Sequence, residues 1–414
     1  MAGSIVARRI ACAAFLGFAV SPSLALAAPA AERQKPAERA AFTAGTAAAA
    51  KPEGLAGVRI AADDPAAFQG LIAGASQASE PWLVLSGGGE NGAFAAGLLK
   101  GWSEAGDRPA FGVITGVSTG AMIAPFAFVG SREDEALAKA YTEVTAADVF
   151  EFGATPMSLT DTWPLKRRID RSVTPELLAA VTTEHAKGRR LLVATTAVDS
   201  ERPVLWDMGA IATAANDPKA RPKALALFRA VILASSAVPG VFPPVLIEAQ
   251  GPDGKTIQEM HDDGGTMAPF FLAPEPALTG QDAEPLPARK VYLVVNNRLT
   301  PEFQMASRST LSVLGRSMSA AIKAQTRAAL ALARGFADRT GLDLKVAQID
   351  GRFTQTSTVP FEGKYMQALF AHGAALGKAG AAFSDESAQD LVTSSLKAPK
   401  RLDRADATQE VAGR

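Results

Sequence analysis

This sequence predicts an α/β fold built on a largely parallel sheet. Two observations carry that reading. Short apolar runs of strand length alternate with stretches of helical periodicity from Trp82 onward. The first two runs each end in a glycine-framed turn that opens a helix, Gly87–Gly92 and Gly116–Gly120. No internal repeat interrupts the alternation.

The chain opens with MAGSIVARRIACAAFLGFAVSPSLALA, residues 1–27. Arg8 and Arg9 form a positive start, Ile10 to Val20 a short apolar core, and Ala25 and Ala27 an A-x-A cleavage signal. This is the pattern of a secretory signal peptide, and the apolar run is too short for a spanning helix. A membrane-anchored N-terminus is the alternative. The arginine pair also raises twin-arginine export. The expected location is outside the cytoplasm: periplasm, cell envelope or secreted. Cys12, the chain's one cysteine, lies in this segment. Arg8 and Arg9 immediately upstream argue against a lipoprotein. After cleavage the chain would have no thiol, and the loss of two arginines would turn zero net charge slightly negative.

Residues 28–57 are rich in Ala, Pro, Glu and Lys and lack a sustained apolar face, so a flexible linker is expected. A helical segment follows over Asp64–Ser79. Trp82–Ser86 and Phe111–Thr115 read as buried strands, each followed by a helix, over Gly92–Ser103 and from Ala121. Arg190–Ala197 is a third strand, with Pro203–Trp206 as a hairpin partner. Lys223–Ser236 reads as a helix. Val245–Glu248 and Thr256–Met260 flank the turn Gly251–Gly254. Lys290–Asn296 is a strand, Ser309–Arg339 a long helix broken near Gly335, Leu342–Ile349 a strand and Tyr365–Ala382 a final helix. The tail 385–414 is polar and expected to fray. One α/β body over 58–384 results.

Composition narrows function. Forty-two basic and 42 acidic residues give zero formal charge, without the basic excess a nucleic-acid binder needs. Hydrophobic residues at 48% exclude a disordered chain. One cysteine excludes a disulfide scaffold and a multi-Cys zinc module, and three histidines leave little for a metal site.

The first loop, Gly87-Gly88-Gly89-Glu90-Asn91-Gly92, follows a strand and opens a helix. Its glycines let several N–H groups aim at one point, at the positive end of the helix. That suits a dinucleotide pyrophosphate or an oxyanion. A dinucleotide site wants an acid at the end of the next strand; Val113-Ile114-Thr115-Gly116 has none. The second loop, Gly116-Val117-Ser118-Thr119-Gly120, is G-x-S-x-G on a strand-to-helix turn. Small residues two positions either side let a serine sit on a sharp elbow. Together the loops offer a nucleophile and an anion hole, which acyl transfer requires.

Ser118 needs a base. His185 lies in a charged stretch and reads as a surface residue. His372 lies in a helix, and Ser118…Asp263…His372 has the chain order of an α/β-hydrolase triad. Asp263, in His261-Asp262-Asp263-Gly264-Gly265, is a carboxylate on a tight loop. An ordinary Asp-Gly turn reads equally well there. Strand alternation would turn Asp262 to solvent and place His261 on the face of Asp263, as a packing residue.

Taken in order, these motifs resemble the patatin-like phospholipase family, as an exported bacterial member. The matches are the glycine-rich loop Gly87–Gly92, the elbow Gly116–Gly120 and Asp263-Gly264-Gly265. A fourth segment is similar too, Leu233-Ala-Ser-Ser-Ala-Val-Pro-Gly-Val-Phe-Pro-Pro244. The motif core spans 81–270. The resemblance implies a three-layer α/β/α sandwich and lipid acyl hydrolysis by a Ser118–Asp263 dyad. It implies an oxyanion hole on the Gly87–Gly92 loop, with N–H groups near Gly88 and Gly89. No metal or organic cofactor is implied. Two departures stand out. Asn91 replaces the family's usual basic residue, and Thr266-Met267-Ala268-Pro269-Phe270 replaces the frequent Asn-x-Pro.

A lipid substrate makes transient membrane contact an expectation. Trp163–Ser172 mixes Trp163, Leu165 and Ile169 with Lys166, Arg167, Arg168 and Arg171, and would be either an anionic-bilayer contact or a solvated helix face. Two other functional readings remain: a non-catalytic lipid- or partner-binding envelope protein, and a nucleotide-dependent enzyme.

Overall fold

A computed structural model describes residues 38–384, apart from 53, 282 and 358. The expected signal peptide (1–27), the first part of the expected linker (28–37) and the tail (385–414) lie outside the described residues.

The strands are β1 (Lys51–Pro52), β2 (Arg59–Ala61), β3 (Trp82–Leu85), β4 (Val113–Gly116), β5 (Glu151–Thr155), β6 (Ser158–Asp161), β7 (Arg190–Ala197), β8 (Arg202–Asp207), β9 (Val245–Gln250), β10 (Thr256–Asp263), β11 (Lys290–Val295) and β12 (Asp343–Gln348). The helices are α1 (Ala44–Ala49), α2 (Pro65–Ala73), α3 (Gly92–Ala105), α4 (Thr119–Val129), α5 (Asp134–Thr142), α6 (Trp163–Ser172), α7 (Pro175–His185), α8 (Met208–Ala214), α9 (Arg221–Ser235), α10 (Glu275–Thr279), α11 (Thr310–Thr340) and α12 (Gly363–Lys378).

Ten strands form one sheet in the order β1-β9-β10-β7-β4-β3-β11-β12, with β8 also on β7 and β2 on β8. The run β7-β4-β3-β11-β12 is parallel. Strands β1, β9, β10 and β8 join antiparallel. The central strands are apolar throughout because both faces are covered. Along β3, Leu83 and Leu85 point into one core and Trp82 and Val84 into the other. The first core holds Phe94 and Leu98 of α3, Ile123 and Phe128 of α4, Phe228 of α9 and Leu369 of α12. The second holds Phe68 and Ile72 of α2 with Leu330 and Phe336 of α11. The result is a three-layer α/β/α sandwich. No helix among the described residues is long and apolar enough to cross a membrane.

Three local expectations change. The described part of the presumed linker is structured: Arg39 pairs bidentately with Asp199, β1 extends the sheet on β9, and Leu55 is buried. Scattered anchors did what a continuous apolar face was expected to do. Helix α11 runs unbroken through Gly335, since the neighbours Ala333, Phe336 and Ala337 are buried and outweigh a glycine cost of about 1 kcal/mol. The hairpin β5–β6 and helices α5, α7 and α8 add to the expected elements.

Candidate active site

The sheet itself brings the two key residues together. Strand β7 pairs in parallel with β4 over Arg190–Val193, then antiparallel with the end of β10 over Thr195–Ala197. Strand β8 occupies the other edge of β7 from Leu192 to Ala197. Each strand has two edges, so β4 and β10 share the remaining one, end to end. Gly116 is in register with Val193 and Asp263 with Thr195. Ser118 lies two residues past Gly116, so it and Asp263 converge at the gap where the ends of β4 and β10 meet.

Ser118 sits on a sharp elbow. Its φ of 55° and ψ of −124° fall outside the regions L-residues favour. The flanking glycines are required by close approach. A Cβ on Gly116 would lie 2.5 Å from the Gly120 carbonyl oxygen, and one on Gly120 would lie 2.3 Å from that of Leu85. Two serines at the C-terminal end of α9, its last residue Ser235 and the capping Ser236, hold the elbow. Ser235 Oγ accepts the Ser118 N–H at 3.0 Å and donates to the Ala194 carbonyl at 2.7 Å; Ser236 Oγ shares its one proton between the Ile232 carbonyl at 3.0 Å and the Ser118 carbonyl at 3.3 Å.

Asp263 is buried, its own N–H donating to the Ala237 carbonyl at 3.0 Å. The Gly265 N–H donates to Oδ1 at 2.7 Å. Oδ2 is buried and has no hydrogen bond of ordinary geometry. The Ser118 hydroxyl is still near enough to favour the ionised carboxylate. Burial dominates and pushes Asp263 up to about 7, against the Ser118 hydroxyl and the Gly265 N–H, while Asp262 adds like-charge repulsion. Gly264 is confined as well, since a Cβ there would lie 2.4 Å from the Ala194 carbonyl oxygen.

Asp262 is not solvent-facing, as alternation suggested. It is 8% exposed and burial raises it to about 6, with the hydroxyls of Thr266 and Thr196 beside it. The loop after the strand covers it: Gln325 of α11 donates to the Thr266 and Met267 carbonyls at 3.4 and 3.1 Å.

The glycine loop divides its labour. Gly87 donates its N–H to the Pro269 carbonyl at 2.9 Å, so Gly87 is not a free oxyanion donor. That bond ties the loop to the segment after Asp263, where Asn-x-Pro was missing. Asn91 donates its N–H to the Gly88 carbonyl, and the Gly92 N–H caps within the turn. The N–H groups of Gly88 and Gly89 have no acceptor among the described residues, and Gly89 faces the same cavity as Ser118. Gly88 cannot carry a side chain, because its Cβ would lie 2.2 Å from the Asn296 carbonyl oxygen. The Glu90 carboxylate accepts the Phe361 N–H, and Asn91 Oδ1 accepts the Tyr365 hydroxyl at 2.7 Å. Both side chains brace the loop from outside. At Gly92 a Cβ would lie 2.3 Å from Thr119 Oγ1, where α3 and α4 begin side by side.

Asn296, at the end of β11, is fully buried. It donates its N–H to Ser86 Oγ at 2.8 Å and its amide to the Ser86 carbonyl at 3.0 Å, while Oδ1 accepts the Ala95 N–H at 3.2 Å. In the sequence Asn296 is only the last residue of an expected strand, with no role attached to it. The signal was a lone amide closing an apolar run. Ser235 and Ser236 were likewise inside a recognised segment, with their contacts to Ser118 invisible.

The histidines stand elsewhere. His372 lies between the rings of Phe94 and Phe353, at 6.4 and 5.4 Å, with Asp350 as its nearby carboxylate. The order Ser118…Asp263…His372 is therefore not a spatial triad. His261 is fully buried beside Thr195 Oγ1 at 3.1 Å and edge-on to Trp206, and burial lowers its pKa. His185 is half-buried, 3.8 Å from Asp207, rather than a surface residue.

Ser118 and Gly89 open on an apolar cavity of about 100 Å³. Met122 and Phe126 of α4, Leu165 and Ile169 of α6, Phe242 and Met366 line it. Tyr141 also lines it, its hydroxyl sharing a 2.5 Å hydrogen bond with Thr119 Oγ1.

Residues 83–274 match the family model of the patatin-like phospholipases. They form a patatin-like phospholipase domain. The family is one of lipid acyl hydrolases, and the domain carries both loops, Ser118, Asp263 and the serine pair of α9. Asn296, Phe361 and Met366, which support the loop or line the cavity, lie beyond the matched span of the patatin-like domain. Among solved structures, the crystal structure of VipD from Legionella pneumophila is similar over 73% of this chain and 67% of that chain, at 12% identity and a TM-score of 0.36. No curated protein is similar enough in sequence to match the chain.

Proposed function

We propose that this protein is a serine acyl hydrolase that cleaves lipid esters through a Ser118–Asp263 dyad without a histidine. One observation carries the reading: a serine on a strained elbow and a buried carboxylate converge at one sheet edge, beside an apolar cavity. In the first half-reaction Asp263 takes the Ser118 proton as Oγ bonds to the ester carbonyl carbon. The N–H groups of Gly88 and Gly89 stabilise the oxyanion. Collapse expels the alcohol, which receives the proton from Asp263 and leaves an acyl-Ser118. Water then attacks with Asp263 again as base. The carboxylic acid departs and the proton returns to Ser118 Oγ.

A fluorophosphonate probe tests this. Wild type should label and Ser118→Ala should not; equal labelling overturns the proposal. Asp263→Asn should abolish p-nitrophenyl ester hydrolysis, whereas His372→Ala should retain it. A non-catalytic lipid-binding protein would instead bind lipid tightly with no turnover in wild type.

The same reading includes a lipid substrate, transient contact with an anionic membrane surface, and export. Exposed Phe152, Met157, Leu159 and Trp163, on β5–β6 and the start of α6, support the contact, with Lys166, Arg167 and Arg171 on the same helix. The leader-like pattern of residues 1–27 supports export to the periplasm or beyond.

A further inference from the structure

We propose that Phe361 determines which acyl groups the cavity accepts, and that Glu90 is the positioning residue that holds Phe361 there from the oxyanion loop. The inference rests on the acyl-hydrolase reading and adds a specificity element to it. Most of the cavity wall comes from α4, α5, α6 and α9 and the segments around them. Phe361 reaches it from the segment before α12, outside the patatin-like domain. Its ring packs edge-on against Phe150 at 6.2 Å, and Phe150 in turn meets Phe242, another wall residue, at 6.1 Å. An acyl chain entering beside Gly89 and Ser118 therefore shares its space with this aromatic group.

The backbone of Phe361 is unusual. Its φ of 55° is a conformation that non-glycine residues rarely adopt and that surrounding contacts must impose. The imposing group is the Glu90 carboxylate. It accepts the N–H of Phe361; burial raises its pKa above the usual carboxylate value, and the Phe361 N–H, the Ser357 hydroxyl and the Glu362 N–H oppose that rise. Consecutive N–H groups converging on one anion form a backbone nest. Glu90 sits between Gly89, a proposed oxyanion donor, and Asn91, which accepts the Tyr365 hydroxyl. Two adjacent residues of the loop thus grip the segment that carries Phe361. The wall and the anion hole are one mechanical unit.

The test uses the full chain and p-nitrophenyl esters from butyrate to palmitate. Phe361→Ala should raise the ratio of kcat/KM for laurate over butyrate by about tenfold or more, mainly through KM. Glu90→Gln, which keeps one acceptor oxygen but loses the anion, should move the ratio the same way by less. Phe361→Leu should return it towards wild type. A second arm needs no turnover. In a Ser118→Ala background, displacement of a fluorescent fatty acid by unlabelled acids should show the same change in chain-length preference with Phe361→Ala. The inference is overturned if both profiles keep their shape, or if every chain length scales equally. If wild type hydrolyses no ester and Ser118 fails to label, the acyl-hydrolase reading falls, and the binding arm still decides the role of Phe361.

Discussion

Ser235 Oγ accepts the backbone N–H of Ser118 at 3.0 Å, and the same hydroxyl donates to the Ala194 carbonyl at 2.7 Å. One fully buried side chain thus links the nucleophile to β7, the strand that also positions Asp263. Ser235→Ala would leave a buried N–H and a buried carbonyl unpaired. The expected cost is about 1–3 kcal/mol of stability. Loss of the elbow's position should lower kcat/KM by about 10- to 100-fold. Denaturant titration and ester kinetics measure both; wild-type kinetics in the variant would refute the link.

Asp263 must be ionised to accept the Ser118 proton, and burial pushes it up to about 7. Activity should therefore fall as pH drops through about 7, with kcat/KM following a single protonation. Asp262 raises Asp263 further by repulsion. Asp262→Asn should move the acid limb to lower pH, while His261→Gln and His372→Ala should leave it in place. Ester hydrolysis followed by pH-stat measures the limb. An acid limb that moves only with a histidine substitution would replace the dyad by a histidine mechanism.

The same shift makes a stability prediction. A carboxylate whose folded pKa lies above its unfolded value of 3.8 costs stability as pH rises from about 4 to about 7, and the cost is complete above that. Asp263→Asn removes the charge and keeps an oxygen for the Gly265 N–H. The variant should therefore melt several degrees above wild type at pH 8, with the difference shrinking towards pH 4. Thermal unfolding across that range measures it. A lower melting point at pH 8 would mean the carboxylate is stabilised when ionised.

Much of this site was legible because its constraints are local. The elbow glycines and Gly88 are forced by close backbone approach, Gly92 by the side chains of Thr119 and Tyr141, and Asp263-Gly264-Gly265 by a carboxylate bonding two residues ahead. Apolar runs marked β3, β4, β7 and β11 because both faces of a parallel strand are covered. What failed was long-range. Burial of Asp262 depends on a loop contacted by α11, 63 residues away at Gln325. Gly87 looked like an oxyanion donor until the Pro269 carbonyl claimed its N–H. Glu90 and Asn91 looked like part of an anion site, while their side chains grip Phe361 and Tyr365. Helix α5 escaped because its amphipathic stripe is short: Leu137, Ala138 and Tyr141 are its buried apolar positions.

Phe152 is 74% exposed and Trp163 45%, and the Arg167 guanidinium lies 5.2 Å over the Trp163 ring. Aromatic groups beside cations suit an anionic lipid surface. The protein should co-sediment with vesicles of mixed anionic and zwitterionic lipid, more weakly in high salt. Phe152→Ser with Trp163→Ala should weaken that binding about tenfold while butyrate ester hydrolysis persists. Binding equal to wild type would remove this face from the proposed contact.

Gly88 and Gly89 are neighbours with different constraints, and that difference separates loop geometry from mere proximity to Ser118. A Cβ on Gly88 meets the Asn296 carbonyl oxygen at 2.2 Å, a backbone atom on a buried strand end that cannot swing away. A Cβ on Gly89 meets nothing within 4 Å, and only its φ of 57° opposes a side chain. Gly89→Ala should thus cost about 1–2 kcal/mol and keep measurable ester hydrolysis. Gly88→Ala must displace the loop from β11, taking the proposed oxyanion N–H groups with it. Its kcat should fall by about 100-fold or more, the scale of losing an oxyanion donor. The two variants compared by kcat and by melting temperature decide the point. Equal losses in both would mean that φ strain alone governs the loop, and that Asn296 does not shape it.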